Sequence, residues 1–154
     1  YETQKDKIMS SDLSGLINNR THHFKVRVYY EDTDFTGIVY HANYLKFAER
    51  ARTNFLRLLN VNHSMLIESD DPVYFVVYKM NSKYLGTAKI DDLLEVRSKF
   101  KSINGPRLKI DQDIFKDEKI VFSANIEFAL LDKKTKPKRF PENIKLKIEE
   151  YLSE

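Results

Sequence analysis

From His23 the chain alternates strictly. Phe24, Val26, Val28 and Tyr30 fall on one face, and Lys25, Arg27 and Tyr29 on the other. A period of two marks a half-buried strand. The period then changes. Tyr44, Phe47, Ala48, Ala51, Phe55 and Leu58 recur at steps of three and four, while Lys46, Arg50, Arg52 and Arg57 sit mostly off that stripe. This predicts an amphipathic helix over about residues 42–59, packed by its apolar face. After a connection with a short helical piece near Met65 and Leu66, four more strands are predicted at 74–85, 93–101, 107–115 and 119–131. Asn104-Gly105-Pro106 and Lys116-Asp117-Glu118 are the turns between the last three, and links this short require antiparallel neighbours. A mostly basic loop, 132–139, precedes a final helix opened by Pro141, with Ile144, Ile148, Tyr151 and Leu152 on its apolar side.

The order of strand, long helix and four antiparallel strands predicts an α+β layer, one sheet of about five strands with one helix across it. Residues 1–21 are polar and weakly periodic; Leu13, Leu16 and Ile17 make at most one helical turn. They read as a loosely held N-terminal arm ahead of a single domain over 22–154. A lone sheet of this kind leaves edges and a face open, which favours oligomerisation.

Composition narrows the function. A chain of 154 residues suits one domain. A net charge of +3 fits an anionic ligand such as a nucleotide but falls short of the basic stripe expected for nucleic acid. The sequence holds no cysteine, so disulfides, thiolate catalysis and Cys-based zinc sites are excluded; this agrees with a cytoplasmic location. No apolar run approaches the roughly 20 residues that cross a bilayer, so membrane insertion is not expected, and the polar N-terminus does not read as a secretion signal.

Candidate chemistry concentrates in residues 30–52. Glu31, Asp32 and Asp34 crowd one turn, and since turns favour acids, Glu31 and Asp32 read as surface carboxylates. Asp34 is followed by Gly37, which permits backbone shapes closed to other residues, and then by Ile38, Val39 and Tyr40 leading into the helix. The first N–H groups of a helix lack internal partners and suit a developing negative oxygen. Asp34 can curl back towards them, either as a catalytic acid or simply to stabilise the helix start. His41 has no Ser partner in a Gly-x-Ser-x-Gly elbow. His22, His23 and His63 lack metal-ligand spacing, so neither a metal nor a cofactor is expected.

The stretch Arg27–Arg52 resembles the 4-hydroxybenzoyl-CoA thioesterase family of hotdog-fold enzymes, closest to the bacterial branch associated with the Tol–Pal system. Arg27-Val28, Thr33-Asp34, Gly37-Ile38-Val39-Tyr40-His41, Asn43-Tyr44 and Glu49-Arg50-Ala51-Arg52 carry the resemblance. It implies a hotdog fold, with a long helix wrapped by the sheet, and hydrolysis of acyl-CoA, or alternatively acyl-carrier-protein, thioesters. It implies Asp34 as catalytic aspartate and the His41 N–H as the group polarising the thioester carbonyl, with the imidazole secondary and Tyr40 beside it in the catalytic group. Gly37, Asn43, Tyr44 and Glu49 would contact substrate. Asn104 and Arg107, in the hairpin after the third strand, would meet coenzyme A phosphates, although many relatives carry a small hydroxyl residue near the Arg107 position. The active site would lie between subunits of a homodimer or homotetramer. Two other readings stand beside this one: a hydroxyacyl-thioester dehydratase using His41 with an acid, and a non-enzymatic acyl-CoA binder using the basic loop and the arm. Phe47, Phe55, Tyr74, Phe75 and Tyr78 could serve either an acyl pocket or the core.

Overall fold

The computed structural model describes residues 8–153. Among these residues seven strands form one antiparallel sheet: β1 (Met9–Ser11), β2 (Gly15–Asn18), β3 (Thr21–Arg27), β4 (Tyr74–Tyr84), β5 (Leu93–Asn104), β6 (Arg107–Lys116) and β7 (Lys119–Leu131). Their order is β1-β2-β3-β5-β6-β7-β4. Helix α1 (His41–Leu58) lies across the sheet, followed by the short α2 (His63–Ile67); α3 (Glu142–Glu149) closes the chain.

The predicted stripe of α1 is buried at Tyr44, Phe47, Ala48, Ala51 and Phe55. It meets the inward faces of the sheet, where Leu94, Val96, Phe100, Ile110, Ile114 and Phe122 are almost fully shielded. The alternation of β5–β7 holds, with two polar residues on the inner face. Ser98 and Gln112 are cross-strand partners, both fully buried. The Gln112 amide donates to Ala48 O and to Ser98 Oγ, each at 2.9 Å, tying helix to sheet. Buried polar groups persist when bonded in this way.

One feature differs from the sequence expectations, and another lay beyond them. The sheet has seven strands rather than about five, because the expected loose arm supplies β1 and β2. Residues 9–18 form a hairpin whose second strand pairs with β3. Leu13 is exposed at its tip, Ile17 is buried, and no helical turn forms there. Strands of three and four residues are too short to display a period. The hairpin depends on docking: Ser14 O accepts from His22 Nε2 at 2.6 Å, and Ser14 Oγ donates to Asn54 Oδ1 at 3.1 Å. Gly15 makes the turn possible, since its φ is +84° and a Cβ there would lie 2.3 Å from His23 O. Residues 1–7 of the arm lie outside the described residues. The feature beyond them is strand order. β4 pairs with β7, not with its sequence neighbour β5, and so becomes the far edge of the sheet.

Candidate active site

β3 ends at Arg27, and a 3-10 turn over Tyr30–Asp32 follows. Asp32 is not the surface carboxylate expected from its turn. It is buried, and its side chain accepts from Tyr29 N–H at 2.8 Å. Its carbonyl accepts from Tyr40 N–H at 2.9 Å and from Asn43 Nδ2 at 2.7 Å, which fastens the helix start to the acidic turn. Between those anchors the chain makes a tight hairpin. Thr33 bridges Val39, Asp34 N–H donates to Ile38 O at 2.9 Å, and Gly37 N–H donates to Asp34 O at 3.0 Å. Gly37 adopts φ +85°, as a three-residue hairpin loop closed by a left-handed residue requires. Val39 N–H donating to Ala88 O at 2.8 Å holds the returning arm.

Asp34 sits at the mouth of this hairpin, half-buried. Its carboxylate accepts from Thr36 Oγ1 at 2.5 Å and from Thr36 N–H at 2.8 Å. The Thr36 hydroxyl first, and then its amide, hold the carboxyl below the usual carboxylate range, so Asp34 is ionised at neutral pH. Tyr40 occupies the position before α1 without capping it by its side chain. Among the described residues nothing accepts from the N–H groups of His41 and Ala42. The opening of α1 therefore offers two free donors and the positive end of the helix dipole. The His41 ring is exposed, packing against Tyr40 at 4.6 Å and edge-on to Tyr84 at 6.1 Å. Tyr84 Oη donates to His41 O at 3.2 Å.

Of the residues singled out from sequence, the structure brings Asp34, Gly37, Tyr40, His41, Asn43 and Tyr44 into one turn-and-helix unit. Asn43 is turned inward by its bond to Asp32 O. Tyr44 is buried, stacked on Phe122 at 5.5 Å, and burial pushes its hydroxyl pKa up. Glu49 lies two turns further along α1, on the rim of a separate cavity of about 280 Å³. Asn104 and Arg107 are more remote. β3 leads into the acidic turn at Arg27, which pairs with Leu93 at the start of β5, whereas Asn104 ends that strand. At about 3.3 Å per residue the separation along β5 is roughly 35 Å. Within one protomer, the expected nucleotide residues and Asp34 thus occupy opposite ends of the sheet. Arg107 stacks its guanidinium over the Tyr78 ring at 3.9 Å.

Sequence reasoning missed two residues of the cavity. Arg52 and His63 both line it, together with Phe75, Phe100 and Phe128. Burial lowers the Arg52 pKa to about 10, partly opposed by Glu49, and lowers that of His63. The available signal was the Arg52 position, one helical turn beyond Glu49 and close to the apolar stripe. Of the candidate pocket aromatics, Phe75 lines the cavity, whereas Phe47 and Phe55 are fully buried in the core. Among the described residues no group of three His, Asp or Glu side chains could hold a metal ion.

The family model of the thioesterase-like superfamily matches residues 28–148, which takes in the acidic hairpin, α1 and the whole β4–β7 sheet. The chain belongs to the thioesterase-like superfamily. It is 42% identical over 123 residues to the acyl-CoA thioesterase YbgC of Haemophilus influenzae, covering 79% of this chain and 90% of that protein. It is 38% identical over 130 residues to the acyl-CoA thioester hydrolase YbgC of Escherichia coli O6:H1, covering 83% and 96% respectively. A crystal structure of a probable thioesterase from Bartonella henselae superposes with a TM-score of 0.76 at 38% identity, over 79% of this chain and 99% of that one. The fold also matches a 1,4-dihydroxy-2-naphthoyl-CoA thioesterase from Synechocystis, with a TM-score of 0.77 at 20% identity, over 83% and 95%. The hotdog architecture and the family resemblance expected from residues 27–52 are both borne out. β1 and β2 lie ahead of the matched region.

Proposed function

We propose that this member of the thioesterase-like superfamily hydrolyses acyl-CoA thioesters to the free acid and coenzyme A, as its YbgC relatives are named for doing. The observation that carries the mechanism is the pairing of an ionised Asp34 with unbonded N–H groups at the start of α1 within one rigid turn. The thioester oxygen accepts from the His41 N–H, with the Ala42 N–H beside it. These donors stabilise the negative charge that develops as the carbonyl carbon becomes tetrahedral; a single donor of this kind is typically worth about 10²–10³ in rate. Asp34 either attacks the carbon itself, breaking the C–S bond and leaving a mixed anhydride that water then cleaves, or takes a proton from the water that attacks the carbon directly. In both routes water supplies the new acid oxygen and coenzyme A leaves as the thiol. Gly37 holds the hairpin shape that aims Asp34. Asn43 fixes the turn through Asp32, and Tyr40 with Tyr44 walls the helix start.

The His41 imidazole has a supporting role. Among the described residues His41 makes no ion pair, whereas a dehydratase would need that ring paired with an acid. We assign the working form to a homodimer. β4 is an edge strand with an exposed apolar row, Val77 at 51%, Tyr78 at 61%, Met80 at 39% and Tyr84 at 47%. An edge of this length and character invites pairing with a second copy. A two-fold partner would also answer the roughly 35 Å between Asp34 and the Asn104–Arg107 hairpin, with the hairpin of one subunit serving the nucleotide bound at the other. Acyl-CoA substrates and the absence, among the described residues, of any helix long and apolar enough to cross a membrane fit a cytoplasmic setting.

The test is thiol release from a panel of acyl-CoA and acyl-carrier-protein thioesters by wild type and Asp34→Asn. The variant should lose about 10²–10⁴ in kcat, the usual worth of a positioned acid or base, with an unchanged Tm. Activity near wild type in the folded variant would remove Asp34 from the mechanism.

A further inference from the structure

The cavity beside α1 is walled mainly by carbon: Leu56, Phe75, Phe100, Leu108 and Ile110 all face it. One cation enters that wall. Arg52 is half-buried, its Nη1 donates to Gln112 Oε1 at 3.0 Å, and its guanidinium lies 4.9 Å from the centre of the Phe128 ring. Gln112 is fully buried and its amide nitrogen is already committed to Ala48 O and Ser98 Oγ, so its oxygen must face Arg52. The guanidinium is thereby placed rather than free to swing. Among the described residues no carboxylate comes within ion-pair distance of it. A guanidinium carries five N–H donors, and a shielded cation whose nearest carboxylate, Glu49, acts only from beyond contact distance is costly unless further acceptors reach it. Burial has accordingly pulled its pKa down to about 10.

We propose that this cavity receives the far end of the acyl group, and that Arg52 makes the enzyme select acyl chains ending in an oxygen acceptor over chains ending in methyl. This rests on the hydrolase reading above. The apolar wall takes the methylenes or ring of the chain, and the Arg52 N–H groups meet its terminal oxygen. Glu49 on the same rim separates the two forms of that chemistry. A terminal hydroxyl accepts from Arg52 and can donate to Glu49, whereas a terminal carboxylate only accepts. Glu49 stands eight residues after His41, about 12 Å along the helix at 1.5 Å per residue. A thioester held at the same protomer's helix start therefore reaches the cavity only with a long chain. The helix start of a partner laid along β4 is the other donor. Selection by Arg52 is the same in either case.

The experiment measures kcat/KM for acyl-CoA sets matched in length and ending in methyl, hydroxyl or carboxylate, with wild type, Arg52→Met and Arg52→Lys. Wild type should favour an oxygen-terminated member by about 10- to 100-fold, the worth of a hydrogen bond to a charged group. Arg52→Met should bring the ratio near one, and Arg52→Lys should restore part of it. The hydroxyl and carboxylate arms report which terminus is read. A wild type that shows no preference at any length, or a preference that survives Arg52→Met, overturns the proposal. The ratio compares substrates on one protein, so a general loss of activity through Gln112 does not move it. Should Arg52→Met fail to fold, calorimetric titration of wild type with the free acids decides: tighter binding of hydroxy or dicarboxylic acids than of equal-length monocarboxylic acids supports the proposal, and equal binding ends it. Should wild type cleave no thioester, the hydrolase reading falls and the same titration still decides the role of Arg52.

Discussion

His22 is fully shielded, with its ring stacked on Phe55 at 5.0 Å and its Nε2–H donating to Ser14 O. Its Nδ1 lone pair is buried with no partner among the described residues. Burial first of all, with His23 adding to it, lowers the pKa from 6.5 to about 4. The unfolded chain therefore takes up a proton near pH 6.5 that the folded chain refuses until about pH 4. The stability contributed by the neutral ring is complete above pH 6.5 and is lost as pH falls through that window, at up to about 1.4 kcal/mol per pH unit. Urea unfolding at a series of pH values should show this slope, and His22→Gln should flatten it. Asp34 differs from it in being held in its charged form rather than its neutral one. It is held ionised by Thr36 and remains a carboxylate across the same window. Of the residues proposed to carry the chemistry, Asp34 and His41 were legible because an acidic turn and a helix start lie within eight positions of each other in the sequence. Arg52 was not legible as a cavity residue, since its burial depends on β4, β6 and β7 closing over it.

The elements differ in how they are secured. β5, β6 and β7 are long, alternate over most of their length and are joined by tight turns, so their pairing follows from local pattern, with register shifts only between Phe100 and Ser102 and between Ile114 and Phe115. β1 and β2 are secured only by what they dock on, and Gly15 is the residue through which that docking is tested. A Cβ at Gly15 meets His23 O at 2.3 Å on top of a positive φ, whereas a Cβ at Gly37 meets nothing within 4 Å. Gly37→Ala should cost about 1–2 kcal/mol, from backbone strain alone. Gly15→Ala should cost more and should expose β3 to amide exchange. Urea midpoints and hydrogen exchange on β3 measure both, and equal costs at the two positions would mean that the hairpin is not docked as described. The acidic hairpin before α1 is secured differently again, by backbone bonds from Asp34, Gly37 and Tyr40. That rigidity suits the proposed site, in which an acid and two N–H donors would be held in fixed relation.

At the scale of the whole molecule the outstanding feature is the β4 edge with its exposed apolar row. Met80→Lys places a charge in the middle of that row, the device natural edge strands use against pairing. The variant should run as a monomer in light scattering while wild type runs as a dimer, and acyl-CoA hydrolysis should fall with dimer content. A dimer that persists in the variant, or a monomeric wild type with full activity, would place the assembly elsewhere. The sequence by itself determined the α+β class, the long helix with its buried stripe, the β5–β7 meander and the turn that joins Asp34 to the helix start. All of these rest on contacts between near neighbours, which periodicity and turn chemistry record directly. Only the tertiary structure decided that the N-terminal segment pairs with β3, that β4 crosses to the far edge beside β7, and that Ser98, Gln112 and Arg52 form a polar seam under α1. Those outcomes depend on residues distant in sequence meeting across the sheet, and hydrophobic spacing within a segment says which face is buried, not what buries it.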